Sequence, residues 1–521
     1  VGVEPLNRRV ADLVFVEARV ERNEVGIGIA RRVFAGPIPS GGGGQADSGN
    51  GGGGEKIPAI NVGLVHDVSG LNGDAQLRLA KRLAQEKARA WPSGSVGWPK
   101  PMTDEFPQMF RVRQQFDATP PVDVAASVAD GFAAIRGQLK PGMRVAVGVG
   151  SRGISNLAKV VAAVIGELKS AGAEPFILPA MGSHGGATPE GQAGLLADYG
   201  VTEASMGVPV RASMEAGSLG QVEGGQDVPW SREALAADGV IVINRVKPHT
   251  DFAGPMGSGL TKMLVVGLGK HAGASAYHAA ALKLGYKQAL MRLAGVVFER
   301  APILGGVAIV ENAMHDTARV EVLAADAIPG REPELCAEAA TMMPALPFDE
   351  IDLLIVDQIG KNISGSGMDT NTIGRKYNDH KASEDETPRV RFIAVRGLTA
   401  ATHGNATGLG MSEFCRSRVT REVDKEITRI NCITGGHVTA AMAPLDYETD
   451  REIIDVVLQS CGLTPPENIR FVWIRNTLDV AEFICSEAYW DQVQSRDDLE
   501  IISDLHDLPF DAEGNWVDNV H

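Results

Sequence analysis

The stretch MRVAVGVGSRGISNLAKVVAAVIGELKSAGAEPFILPAMGS, residues 143–183, decides the fold class. Residues 143–151 are mostly apolar and end in Gly-Ser, the pattern of a strand buried on both faces. Residues 156–172, NLAKVVAAVIGELKSAG, repeat their apolar positions every three or four residues and stop at a glycine, as an amphipathic helix does. Residues 175–183, PFILPAMGS, return to the buried-strand pattern. Strand, helix and strand in close succession predict a mostly parallel sheet covered by helices.

The same rhythm continues outward. TPEGQAGLLADYG (188–200) predicts a helix with Thr188 as its cap and Pro189 in its first turn. GVIVINRV (239–246) predicts a strand, and SAYHAAALKLGYKQALMRLAG (275–295) one long helix. ILGGVAIVEN and ARVEVLAAD (303–312, 318–326) read as a hairpin. A second α/β unit begins near residue 345, with strands at 352–360, 389–398 and 469–477 and a helix over EFCRSRVTREVDKEITRI, 413–430. The expectation is two α/β domains facing a cleft: a Rossmann-like N-terminal catalytic domain over 106–344, and a C-terminal α/β domain over 345–521 that closes the cleft. Residues 1–105 form an N-terminal extension with a hairpin within 10–34, a glycine-rich flexible loop at 41–54 (GGGGQADSGNGGGG) and a helix over 72–91.

Composition narrows the function. A formal net charge of −16 disfavours nucleic acid and anionic membrane surfaces as partners. Aromatic residues are only 5%, so stacking platforms for bases are not suggested. The five cysteines form no C-x-x-C pair, which is the usage of a reducing compartment. No run approaches the roughly 18 apolar residues of a membrane span, and the first residues lack a basic-then-apolar signal pattern. These features predict a cytoplasmic protein.

In open α/β sheets, ligands bind beyond the carboxyl ends of the strands. Three loops place reactive side chains there: Arg152 after 143–150, His184 in MGSHGGAT, and Lys247 with His249 in NRVKPHT, a loop that runs on to Lys262 at the end of PHTDFAGPMGSGLTK (248–262). His278 follows on the next predicted helix. The last loop has the composition of a phosphate loop but the wrong order, since Thr261 precedes Lys262 and no Gly-Lys-Ser/Thr occurs. Two histidines near neutral pH suit paired acid/base work, and a third suits a borderline metal. No H-E-x-x-H or G-x-S-x-G in its strand–turn–helix setting points to a conventional hydrolase.

The set GSR (150–152), GSHGGAT (182–188), KPHTDFAGP (247–255), GLTKM (259–263) and YH (277–278) resembles the nickel-pincer nucleotide enzymes, the lactate racemase family, over about residues 108–435. The resemblance implies nickel held in a pyridinium-3-thioamide-5-thiocarboxylic acid mononucleotide. It implies that Lys262 carries this cofactor covalently, that Ser151, Gly182 and Gly259 help bind it, and that His278 ligates the metal. By the same resemblance His184 and His249 alternate as general base and acid, and Arg152 holds the substrate. Gln358 and Lys361, in DQIGKN, match the second domain's substrate contacts in spacing, though without the family's Tyr-Gln context; another alignment places Asp369, Asn371 and Arg375 over that site. The family's acidic residue just before the arginine has no counterpart in VGVGSR, and the loop from His249 to Lys262 is slightly longer than the family's. The implied activity is racemisation or epimerisation of a 2-hydroxy acid, by hydride transfer from the substrate α-carbon to the cofactor through a 2-keto acid. Its implied partners are that small substrate and, transiently, the cofactor-synthesis proteins. The alternative is a non-catalytic small-molecule binding protein of the same fold.

Overall fold

The computed structural model describes residues 20–23, 26–29 and 105–517, other than 118, 151, 152, 253, 255 and 463. The chain divides into two compact units, residues 1–95 and 96–521. In the first, strands β1 (Val20–Asn23) and β2 (Gly26–Ile29) pair antiparallel, with Val20 opposite Ile29. The expected glycine-rich loop 41–54 and helix 72–91 lie outside the described residues.

The second unit is α/β and, among the described residues, contains two large sheets and one two-stranded sheet. Its strands are β3 (Met109–Gln114), β4 (Arg144–Val149), β5 (Glu174–Pro179), a small hairpin β6 (Ala216–Gln221) and β7 (Asp227–Ser231), and β8 (Gly239–Arg245). They continue with β9 (Ile303–Glu311), β10 (Thr317–Ala324), β11 (Glu350–Val356), β12 (Arg389–Val395), β13 (Phe414–Arg416) and β14 (Leu445–Tyr447). The last are β15 (Phe471–Ile474), β16 (Glu482–Ser486) and β17 (Leu499–Ile501).

The first sheet has the order β10-β9-β8-β4-β5. The pairs β4–β5, β4–β8 and β8–β9 are parallel, while β10 returns antiparallel to β9, as the hairpin reading expects. From β4 the chain steps outward to β5 and then back across to β8, so the strand order reverses between β4 and β8. A crevice opens beyond the carboxyl ends at such a reversal. Helices cover both faces. On one side the helix Leu157–Ser170 buries Leu157, Val160, Val161, Val164, Ile165 and Leu168, the apolar stripe read from sequence. Each such side chain contributes roughly 1.5–3 kcal/mol on burial. On the other side pack the helices Lys270–Leu284, Tyr286–Arg300 and Ile328–Met342.

The second sheet has the order β14-β13-β12-β11-β15-β16-β3-β17. Its members from β14 to β15 are parallel, and β16, β3 and β17 are antiparallel neighbours.

Three expectations are corrected. The single helix over 275–295 is two helices that meet at Gly285, whose φ of 78° and ψ of 153° lie where side-chain-bearing residues are strained. The single helix over 413–430 is β13, a short helix Ser417–Glu422 and a restarted helix Lys425–Gly435. Asp424 begins that restart by accepting from the backbone N–H groups of Glu426 and Ile427. Finally, β3 lies within the span read as the first α/β unit, yet it pairs with β16 and β17 in the second sheet.

Candidate active site

The loop after β8 is closed on itself. Lys247 and Ser258 exchange backbone hydrogen bonds, each N–H donating to the other's carbonyl at 2.8 Å. The chain then enters a short helix, Leu260–Lys262, which continues into a π-turn, Met263–Gly267. Glu332, fully buried on the helix Ile328–Met342, anchors this start: its carboxyl accepts from the Thr261 N–H at 3.0 Å and the Thr261 hydroxyl at 2.5 Å. Burial drives the Glu332 carboxyl above its ordinary range, against the pull of those bonds. Gly259 is required for space, because a Cβ there would lie 2.0 Å from Glu332 Oε1. The Trp230 indole N–H, donating to the Leu264 carbonyl at 2.7 Å, fixes the turn beyond.

This framing brings the two ends of the loop together. Lys262 Nζ lies 2.5 Å from His249 Nε2. His249 is buried and stacks on Phe252 with ring centroids 4.2 Å apart. Its other nitrogen, Nδ1, accepts from the Asp251 N–H at 3.0 Å. A neutral imidazole carries one proton, so in this arrangement the proton belongs on Nε2. Nε2 then donates to Lys262 as an unprotonated amine. In the other tautomer, with the proton on Nδ1, Nε2 accepts from the Lys262 ammonium instead, and that is the state in which the lysine's charge acts on the ring. The environment agrees with a neutral ring. Burial first, then the charges of Lys262, Lys247, Lys376 and His278, hold the His249 imidazolium well below its usual range.

His278 sits on the helix Lys270–Leu284, and its Nδ1 is buried with no hydrogen-bond partner. Burial, and secondarily the Lys262 charge, push its pKa down to about 4, so it too is neutral near pH 7. The neighbouring Tyr277 hydroxyl is likewise buried without a partner, and burial raises its pKa. Two orphaned polar atoms on one stretch of helix are costly unless something satisfies them. Among the described residues no group of three or more His, Cys, Asp and Glu side chains is arranged to hold a metal ion.

His184 is half-buried in the turn after β5, just before the helix Pro189–Asp198. Thr188 caps that helix as expected, accepting from the Gly191 N–H at 3.1 Å. The turn needs Gly185: its φ is 63°, and a Cβ would stand 2.6 Å from the Gly191 carbonyl carbon. Gly182 lies in the same turn, its N–H donating to the Gly267 carbonyl at 3.1 Å and linking it to the π-turn after Lys262. Ser151 and Arg152 lie outside the described residues.

The second sheet meets this site through residues other than those matched first. The Lys361 ammonium folds back onto the Gly365 carbonyl of its own loop. Gln358 lines a hollow of about 410 Å³ together with Asn362, Arg475, Asn476 and His315, and neither His249 nor Lys262 lines it. The residues that reach the His249 loop are Asp369, Thr370 and Asn371. Asp369 pairs with Lys247 at 2.9 Å, the Thr370 hydroxyl donates to the Thr250 carbonyl at 2.5 Å, and the Asn371 amide reaches the His249 carbonyl at 3.5 Å. Arg375 is structural: fully buried, it binds the Glu413 carboxylate and the carbonyls of Met411 and Val390. Lys376 was not singled out by sequence, yet its charge is one of those acting on His249.

The site thus joins a neutral, buried histidine, a neighbouring lysine amine and an unpartnered metal-competent histidine at the carboxyl end of a doubly covered parallel sheet. Residues 130–289 match the family model of the lactate racemase N-terminal domain. The chain is lactate racemase-like over that segment, which spans β4 to the helix after Gly285 and includes His184, His249, Lys262 and His278. Comparison with curated protein sequences gives no significant match. Among solved structures, the lactate racemase apoprotein from Thermoanaerobacterium thermosaccharolyticum aligns over 64% of this chain and 85% of its own at 12% identity. The TM-score of that alignment is 0.41. Among the described residues no helix is long and apolar enough to cross a membrane.

Proposed function

We propose that this protein is a racemase or epimerase of a 2-hydroxy acid and depends on nickel held in a nickel-pincer nucleotide. The observation that carries the reading is the contact between Lys262 Nζ and His249 Nε2, with the unpartnered His278 Nδ1 in the electrostatic field of the same lysine. The residues fit such a group. A lysine amine such as that of Lys262, once deprotonated, is a nucleophile able to form a covalent link, and a neutral imidazole nitrogen with no protein partner is a ready metal ligand. When bound, the group would supply a reversible hydride acceptor for the substrate α-carbon.

The chain's own residues handle the proton. His249 is neutral at pH 7, so it can accept the substrate hydroxyl proton once Nε2 is relieved of its own. That requires the tautomer with the proton on Nδ1, which lies 3.5 Å from the Asp251 carboxylate. Asp251 would then steady the imidazolium formed in the reaction. His184, from a different strand end, supplies the second acid/base group that the opposite enantiomer needs. Arg152 would hold the substrate carboxylate. Lys247, already partnered by Asp369, contributes positive potential rather than a free ligand. The substrate is a small 2-hydroxy acid, the cofactor-synthesis proteins are transient partners, and the formal charge of −16 supports the expectation that nucleic acid is not one.

The test is protein produced together with the cofactor-synthesis proteins. Intact and peptide mass spectrometry should find an adduct on Lys262 with one nickel per chain, and α-proton exchange should occur on some member of a 2-hydroxy acid panel. An unmodified Lys262 in that material overturns the proposal. Adduct without any exchange would favour the non-catalytic binding protein.

A further inference from the structure

Lys270 has no place in the chemistry above, yet it is among the most deeply buried charged residues of the protein, with no exposed surface. Such burial of a lysine is costly unless the structure uses it. Among the described residues no carboxylate pairs with it; its ammonium instead donates to the Pro179 carbonyl at 2.7 Å and to the Gln192 side-chain oxygen at 3.1 Å. Its backbone is held in the left-handed region at φ 57°, unusual for a residue with a side chain. Gln192 is equally buried, and its amide nitrogen donates onward to two carbonyls, Gly182 at 3.0 Å and His184 at 3.2 Å.

The chain of bonds has a direction. Lys270 is the first residue of the helix that carries His278, and Pro179 is the last residue of β5. Gln192 belongs to the helix Pro189–Asp198, which packs against the His184 turn through the close approach of Gly185 and Gly191. One ammonium therefore ties the end of β5, the helix of His278 and, through a single amide, the backbone on both sides of His184.

We infer that Lys270 and Gln192 are positioning residues: together they set the His184 turn in register with the helix of His278. The inference rests on the proposed acid/base role of His184. The amide orientation is what matters. A glutamine accepts from the lysine and donates to the two carbonyls at once, which neither a carboxylate nor an apolar group can do. Misplacing a proton-transfer group by about 1 Å costs on the order of 10²-fold in rate.

The discriminating variant is Gln192→Glu. It retains the volume and gains an ion pair with Lys270, but it turns an acceptor toward the carbonyls of Gly182 and His184. Hydrogen–deuterium exchange of residues 181–188 in cofactor-free protein should accelerate by about tenfold or more, as a buried hydrogen bond is lost. In loaded protein kcat should fall on the order of 10²-fold while KM, nickel content and the Lys262 adduct stay at wild-type levels. Lys270→Met should behave alike, and Lys270→Arg should recover part of kcat. Unchanged exchange at 181–188 in Gln192→Glu overturns the inference, as does a variant whose whole loss lies in KM. If wild-type protein carries no adduct and turns nothing over, the proposed function fails, and the exchange measurement still decides whether this pair holds the turn.

Discussion

Replacing Lys270 by methionine makes a stability prediction whose sign and size follow from its burial. In the unfolded chain a lysine keeps its proton to about 10.5, whereas in the fold burial brings Lys270 down to about 8. Between those values the unfolded state binds more protons, so wild-type stability rises with pH across this window. At about 1.4 kcal/mol for each pH unit, the relief amounts to about 3 kcal/mol. Lys270→Met lacks this titration. It also lacks the bonds to Pro179 and Gln192, at a pH-independent cost of roughly 1–3 kcal/mol for each buried group left unpaired. The deficit of the variant relative to wild type should therefore widen by about 3 kcal/mol between pH 7 and pH 10.5. Urea unfolding at the two pH values measures it, and the tyrosines and cysteines that titrate in both proteins cancel in the comparison. A deficit that stays constant would refute the claim that the ammonium is desolvated without a counter-charge.

Cofactor-free protein should lose stability as pH falls from 6.5 toward 4, because His278 stays neutral in the fold to about 4 while the unfolded chain protonates it. His278→Asn should remove about 3 kcal/mol of that acid sensitivity in urea unfolding and should also abolish nickel retention. His249→Ala and His184→Ala should each keep the Lys262 adduct while α-proton exchange falls by 10²-fold or more, and full exchange in either would remove that histidine from the mechanism. Gly259→Ala forces a Cβ against the Glu332 carboxyl, so it should lower stability by about 1–3 kcal/mol and reduce adduct formation on Lys262. Glu332→Ala leaves the Thr261 N–H and hydroxyl without their buried acceptor and should cost about 2–4 kcal/mol in the same assay.

The alternation of buried strands and amphipathic helices was legible because it is written locally, in the spacing of Val160, Val164 and Leu168 and in the run 239–245. The placing of His184, His249 and Lys262 at strand ends followed from the same rhythm. What sequence could not supply was pairing at a distance. Nothing in MFRVRQ (109–114) says that this strand closes against β16 and β17, hundreds of residues onward. Gln358 and Lys361 have a persuasive spacing, but spacing does not say which way a loop turns; Gly365 takes the lysine, and Asp369 and Asn371 come round to the site instead. Lys270 was overlooked because a lysine opening a helix reads as solvated, and its left-handed backbone leaves no trace in composition. The break at Gly285 could have been found, since a glycine in the middle of a helical pattern is a recognised interruption.

The backbone pair between Lys247 and Ser258 has an evolutionary consequence. It fastens the loop at its neck, so the distance between His249 and Lys262 is set there and not by what lies between Phe252 and Gly257. Lengthening a loop already closed at its base costs only about 0.6 kcal/mol per doubling. An insertion between the two paired residues would therefore leave the neck, and with it the spacing of His249 and Lys262, in place.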